Sequence, residues 1–239
     1  LRLYKSLHRF LHINRLSVFL CQCKICGNFL VFDEEILICI ECLKKIEFKD
    51  APTCKRCGLI VENRHRLCGE CIVDPPKYRK HVSYSIYDGV LKDVILLFKY
   101  GEIKRLKHLI AGYYIEVIEK KIAGEFDYLI PVPADKKRKR EFCPIREIAK
   151  ILSRILHIGI LTGNLVKTGT TEPQAGLSRS KRLKNLDGVF DLKNPSVIAD
   201  KKILLIDDVY TTGTTIKQCT KVLVKAKADV VAVTLARSI

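Results

Sequence analysis

No apolar run in the 239-residue chain approaches the ~18–20 residues that a membrane-spanning helix needs. The first residues do not read as a secretory leader either. The first residues, LRLYKSLHRFLHINRLSVFLC, start basic, but the apolar stretch SVFL is too short for a signal core and no small-residue cleavage site follows. These absences predict a cytoplasmic protein without a membrane span. Methionine is absent throughout, the first position included, so the natural start is expected upstream. Leu3, Leu7, Phe10 and Leu11 fit helical spacing, so residues 1–20 are expected to form a docking helix. Acidic residues are scarce: 26 Asp+Glu face 43 Lys+Arg, a formal charge of +17. That excess points to polyanionic partners such as nucleic acid, phosphorylated metabolites or an anionic membrane surface. Charge alone leaves a solvated basic surface equally open. Aromatic content is only 8%, so stacking on bases is not strongly advertised.

Cysteine, by contrast, is plentiful, with 11 residues. The lack of a recognisable leader and this spacing both argue against a secreted disulfide framework. Two segments repeat: CKICGNFLVFDEEILICIEC (23–42) and CKRCGLIVENRHRLCGEC (54–71). Each opens C-K-x-C-G and closes C-x-x-C. A C-x-x-C turn aims two thiolates at one metal, and the following glycine permits the turn. Cys23, Cys26, Cys39 and Cys42 form one quartet; Cys54, Cys57, Cys68 and Cys71 form the other. Four sulfur ligands close a tetrahedral site with no position for water, so two structural zincs are expected, each supplying folding energy to a small lobe. Decay of one site is the alternative. Cys21 is a spare thiol, and His65 reads as an exposed loop residue.

IVDPPKYRKH (72–81) reads as a linker. The expected domains are therefore the N-terminal helix 1–20, a double zinc ribbon 21–74, and an α/β domain 75–239. Beyond the linker, VSYSIYDG alternates like a strand, VLKDVILLFKY is helical with Gly101 as its stop, and 104–121 suits a second helix. DYLIPVP is a buried strand, IREIAKILSRILHIG an amphipathic helix ending near Gly159, 202–206 a strand, 214–227 a helix, and DVVAVTLA a strand. Alternating strands and helices predict a parallel sheet covered on both faces.

Ligands of such sheets bind at the strands' carboxyl ends, where ILLIDDVYTTGTT (203–215) falls. Two adjacent carboxylates repel one another, so something outside the chain is expected to compensate them. Asp207 and Asp208 suit sugar hydroxyls or a neighbouring metal. Thr211, Thr212, Gly213, Thr214 and Thr215 lead into a helix, whose N-terminus favours an anion. No Walker-type G-x-x-x-x-G-K-[ST] is present. A ribose 5-phosphate satisfies both halves.

This stretch closely resembles the 5-phosphoribosyl-1-pyrophosphate (PRPP) motif of type I phosphoribosyltransferases, with Tyr210 at a position usually aliphatic. The two cysteine ribbons, LLFKYGE (96–102), LIPVP (129–133) and PQAGLSRSKRLKN (173–185) occur in the order of the ComF (ComFC) competence-protein family, a resemblance covering nearly the whole chain. It implies a phosphoribosyltransferase-like domain behind a zinc ribbon and a role in natural transformation and DNA uptake. It also implies that Asp207 and Asp208 hold ribose hydroxyls and that 211–215 hold the 5-phosphate. After the PVP strand the family reads R-x-R-G-F-N-Q; here Arg138, Arg140 and Phe142 are kept, but Glu141 replaces glycine and Cys143-Pro144 replaces Asn-Gln. A carboxylate there repels pyrophosphate, which favours PRPP binding over efficient transfer, while Pro144 also suits a first helical turn.

If catalysis is retained, it is glycosyl transfer by displacement of pyrophosphate from PRPP, with Mg²⁺ on the leaving group. Lys136, Lys137, Arg138, Lys139 and Arg140 form a basic run that fits pyrophosphate, nucleic acid or plain solvation; Lys99 and Arg179 are further candidates. The alternative is a non-catalytic competence factor that binds single-stranded DNA or other nucleic acid and uses PRPP as a ligand. A third reading is a scaffold for competence-machinery proteins.

Overall fold

The computed structural model describes residues 21–30, 36–62, 66–101, 103–134, 143–168 and 188–238. The helix expected over 1–20, His65, Glu141, Phe142, the basic run 136–140 and the 173–185 stretch with Arg179 lie outside them. The chain divides into two compact units, Leu1–Ile46 and Glu47–Ile239. The second cysteine quartet therefore shares a unit with the sheet.

In the first unit, the knuckle Cys23–Gly27 is followed by a short helix, α1 (Ile40–Leu43). The second unit opens on the matching knuckle, Cys54–Gly58, and helix α2 (Gly69–Val73). Then come β1 (Lys80–Ile86), α3 (Gly89–Tyr100), α4 (Leu106–Lys121), β2 (Tyr128–Pro131), α5 (Pro144–Leu156), β3 (Gly159–Ile160), β4 (Leu165–Lys167), β5 (Phe190–Leu192), β6 (Lys202–Tyr210), α6 (Thr214–Lys225) and β7 (Asp229–Arg237). Five strands form one parallel sheet in the order β1-β7-β6-β2-β3; β4 and β5 pair antiparallel apart from it.

The sheet forms where the sequence is apolar on both sides of the pleat. Ile203, Leu204, Leu205 and Ile206 are all 0% exposed, as a doubly covered parallel strand requires. Ile203, Leu205, Val230 and Ala232 share a core with Ile216 and Leu223 of α6, Phe190 of β5 and the second cysteine quartet. Alternation turns Leu204 and Ile206 to the other face, while α4 and α5 pack on each other and on the sheet. In α5 the buried residues Ile145, Ile148, Ala149 and Leu152 fall on one stripe, with Pro144 at the first turn.

Three boundaries differ from expectation. Helix α5 stops at Leu156, not near Gly159, because His157 takes the left-handed conformation at φ 54°. Gly159 instead starts β3, where a Cβ would lie 3.2 Å from the Asp127 carbonyl. Helix α6 ends two residues earlier than expected, at Lys225. Strand β6 runs on to Tyr210 rather than ending at 206, because β7 continues alongside it, pairing Asp207 with Thr234 and Tyr210 with Arg237. The two aspartates are therefore held on the strand itself.

From β2 the chain passes through α5 to β3 on one side; from β6 it passes through α6 to β7 on the other. The order reverses between β2 and β6, and their carboxyl ends flank the crevice that such a reversal opens. No helix among the described residues is long and apolar enough to cross a membrane.

Candidate functional site

Each cysteine quartet converges. All four Sγ atoms in each lie within 4.8 Å of one another. Measured pairs are 3.9 Å for Cys23–Cys42, 3.6 Å for Cys26–Cys39 and 3.6 Å for Cys57–Cys68. A tetrahedron of sulfurs about 2.3 Å from zinc has edges of about 3.8 Å, so the donor sets fit zinc, and the cysteines are free rather than disulfide-bonded. The duplication read in the sequence recurs in the backbone. Gly27 N–H donates to Cys23 O at 2.9 Å and Gly58 N–H to Cys54 O at 3.0 Å. Both glycines are left-handed, at φ 77° and 71°. The amides of Cys39 and Cys68 donate to the sulfurs of Cys23 and Cys54 at 3.4 and 3.3 Å. Cys21 stands apart as an exposed thiol.

The second knuckle is pinned to β1. His81 N–H donates to Arg56 O at 2.7 Å, and His81 Nδ1 lies 2.9 Å from Cys57 O. The His81 ring is wholly buried, and burial pushes its pKa down to about 3. The neutral ring thus carries its proton on Nδ1, since a carbonyl can only accept.

At the carboxyl end of β6, Asp207 and Asp208 both keep part of their surface open. Asp208 pairs with Lys99 of α3 at 2.6 Å. Burial alone would lower the Lys99 pKa, but the Asp208 carboxylate outweighs it and the ammonium is held above its ordinary value. Asp207 Oδ1 accepts the Asp208 N–H at 2.9 Å, and the Tyr114 hydroxyl of α4 donates to the Asp207 carbonyl. Burial first, and then the neighbouring Asp208, push the Asp207 carboxyl up to about 8 against the pull of Lys99.

Strand β6 is followed by Thr211 and Thr212, then Gly213, the left-handed N-cap of α6 at φ 73°. The first-turn N–H groups of a helix have no intrahelical acceptor and attract an anion. The Thr212 and Thr214 hydroxyls lie 2.7 Å apart, beside those amides. Thr214 is buried and Thr215 half-buried. Aspartates and threonine loop thus occupy one strand end. Of the other site residues expected from sequence, Lys99 is drawn in as the partner of Asp208; Lys136, Lys137, Arg138, Arg140 and Arg179 lie outside the described residues. Cys143 stands at the N-cap position of α5 and Pro144 in its first turn, so Pro144 has a helix-starting role.

Tyr210 is the part that sequence reading left unexplained. Its hydroxyl is 3.0 Å from the Tyr78 hydroxyl. Its ring lies 4.2 Å from the His81 ring, and the Arg237 guanidinium is 4.4 Å from its centroid. Arg237 also donates to Cys57 O. The sequence carries little signal for it: His81 falls in phase with Ser83 and Ser85 in the alternation HVSYSI, as an ordinary polar-face residue would.

Residues 17–72 match the family model of the double zinc ribbon domain. Most of the chain is similar to competence and DNA-utilization proteins. Competence protein F of Haemophilus influenzae is 29% identical over 195 residues, 79% of this chain and 84% of that protein. Competence protein ComFC of Bacillus subtilis is 28% identical over 211 residues, 84% of each. The DNA utilization protein YhgH of Escherichia coli is 27% identical over 202 residues, 82% of this chain and 88% of that one. The homology to the ComF proteins read from the motifs therefore extends over most of the chain. Among solved structures, adenine phosphoribosyltransferase from Saccharomyces cerevisiae aligns with 60% of this chain and 72% of its own, at 12% identity and a TM-score of 0.36. A glutamine PRPP amidotransferase from Bacillus subtilis aligns with 61% and 26%, at 20% identity and a TM-score of 0.33.

Proposed function

We propose that this homologue of the ComFC-type competence proteins binds PRPP with Mg²⁺ at the carboxyl end of β6 and serves DNA uptake. One observation carries the reading: paired carboxylates stand on a parallel strand immediately before a glycine-capped helix N-terminus, at the point where strand order reverses. In this reading Asp207 and Asp208 accept hydrogen bonds from the ribose hydroxyls. The amides and hydroxyls of Thr211, Thr212, Gly213, Thr214 and Thr215 hold the 5-phosphate. Lys99 pairs with Asp208 and holds its side chain in place. Mg²⁺, when bound, neutralises pyrophosphate oxygens. Transfer to an acceptor is the further activity this site can support, and Lys136, Lys137, Arg138, Arg140 and Arg179 are the candidates to meet pyrophosphate. The net charge of +17 favours a second reading in which PRPP is only a ligand and single-stranded DNA the functional partner.

Calorimetric titration of PRPP with Mg²⁺ into the zinc-loaded protein is expected to give saturable binding. The Asp207→Asn, Asp208→Asn double variant should bind at least about 100-fold more weakly, since two charge-assisted hydrogen bonds of roughly 1.5–3 kcal/mol each are lost. A folded wild type that does not bind PRPP overturns the proposal.

Binding should also release a proton. The free protein holds the Asp207 carboxyl at about 8, above its ordinary 3.8, and a ribose hydroxyl that donates favours the carboxylate. A raised folded-state pKa contributes stability in full below the unfolded value, and that contribution is lost as pH rises through 8. Ligand binding runs the other way, so affinity should rise between pH 6 and 8, by up to about tenfold per unit for one proton. Calorimetry in buffers of different ionisation enthalpy reads the proton directly; a flat profile with no buffer dependence rejects the assignment.

A further inference from the structure

The loop after β6 and the second metal knuckle are far apart in sequence but meet through one side chain. Tyr210 lies directly beneath Gly213, so close that a Cβ on Gly213 would overlap the phenol hydroxyl. The same phenol touches the ring of His81 and the guanidinium of Arg237. Both of those side chains hydrogen-bond the carbonyl of Cys57, a member of the second cysteine quartet. Tyr78 closes the arrangement from the other side, through the Tyr210 hydroxyl. Tyr78, Tyr210 and Cys57 are at most 4% exposed and His81 is fully buried. Buried groups packed this tightly shift together or not at all.

We infer that Tyr210 is a positioning residue for the phosphate loop, and that through His81 and Arg237 it couples loop geometry to the metal at the second cysteine quartet. The coupling is mechanical. The metal fixes the Cys57 turn, that turn fixes His81 and Arg237, and these hold the phenol against which Gly213 rests. Coupling between two ligands is reciprocal. An anion seated on the loop therefore tightens metal binding at the second quartet. This rests on the ribose-phosphate reading of the loop for its ligand but not for the contact itself.

The test uses the full chain carrying Cys26→Ser, which removes the metal signal of the first quartet. Zinc affinity is read by equilibrium competition with a coloured chelator, with and without PRPP and Mg²⁺. Affinity should rise by about 5-fold or more, the lower range of measured couplings. Tyr210→Phe keeps the ring and should retain most of the effect; Tyr210→Ala should abolish it while PRPP affinity falls. An equal rise in Tyr210→Ala overturns the inference, as does a ligand that binds without altering zinc affinity. Hydrogen exchange on the ligand-free protein separates this from failure of the ribose-phosphate reading. Tyr210→Ala should raise exchange together at the 54–58 and 213–217 amides, Tyr210→Phe much less. Exchange rising at only one of the two segments refutes the coupling whether or not PRPP binds.

Discussion

Serine at Cys68 is expected to lower the melting temperature of the larger unit by about 8–16 °C, whereas serine at Cys26 leaves that transition in place. Both substitutions remove one of four ligands from a zinc-fitting site, and the difference lies in what surrounds each. Cys54, Cys57, Cys68 and Cys71 are 2%, 4%, 7% and 4% exposed and pack in one core with Tyr78, Phe190, Ile216 and Leu223. Without a metal, four sulfurs would be crowded there. Burial and then neighbouring Cys57 push the Cys71 thiol well above its ordinary range, while, against its burial, backbone hydrogen bonds bring Cys54 down to about 7, so the quartet does not ionise completely unless a cation joins it. Zinc supplies that charge, and its binding energy is folding energy. Loss of a structural metal belongs to the class of changes costing about 4 kcal/mol or more, which for a unit of this size shifts melting by the amount stated. Cys26 is exposed and belongs to the unit Leu1–Ile46. Scanning calorimetry with zinc counted by mass spectrometry decides the matter. Equal shifts for the two variants would mean that the second quartet does not support the sheet.

The sequence disclosed most readily what depends on local spacing. The C-x-x-C pairs with their trailing glycines predicted both quartets, because a knuckle is a turn of a few residues whose ligands are neighbours. The run ILLI predicted a buried strand, and DD followed by TTGTT predicted a strand end leading into a helix. Less legible was what depends on partners far along the chain. Strand β6 outlasted its apolar run because β7 pairs with it through Tyr210, and no periodicity within β6 records that. The basic composition marks Lys99 as a candidate contact for pyrophosphate or nucleic acid; its pairing with Asp208 is not visible there, because it depends on where α3 crosses the sheet end. His81 and Arg237 look like an ordinary polar-face residue of a strand and a basic chain end. Their part in the site appears only when the Cys57 carbonyl is brought between them.

Gly213→Ala should be among the most damaging single changes in the chain, and the reason can be separated into parts. The residue is left-handed at φ 73°, which costs an alanine about 1–2 kcal/mol. A methyl group there also meets the hydroxyl and ring of Tyr210. The phenol has little room to retreat, with Tyr78 3.0 Å from its hydroxyl, His81 4.2 Å from its ring and Arg237 4.4 Å from its centroid. Overpacking of this kind adds roughly 1–3 kcal/mol, and relief by moving the loop would turn the α6 amides away from the proposed phosphate site. In wild type, PRPP affinity should therefore fall beyond measurement and stability by about 3 kcal/mol. In the Tyr210→Ala background the methyl has space, and the stability cost should shrink to the backbone part, about 1–2 kcal/mol. Urea unfolding of the four proteins gives the interaction energy directly. Additive costs would show that Tyr210 does not support Gly213. A coupling near the overpacking value would fix the glycine's role as twofold: it permits the left-handed turn, and it lets the loop after β6 lie on the phenol that reaches the second cysteine knuckle.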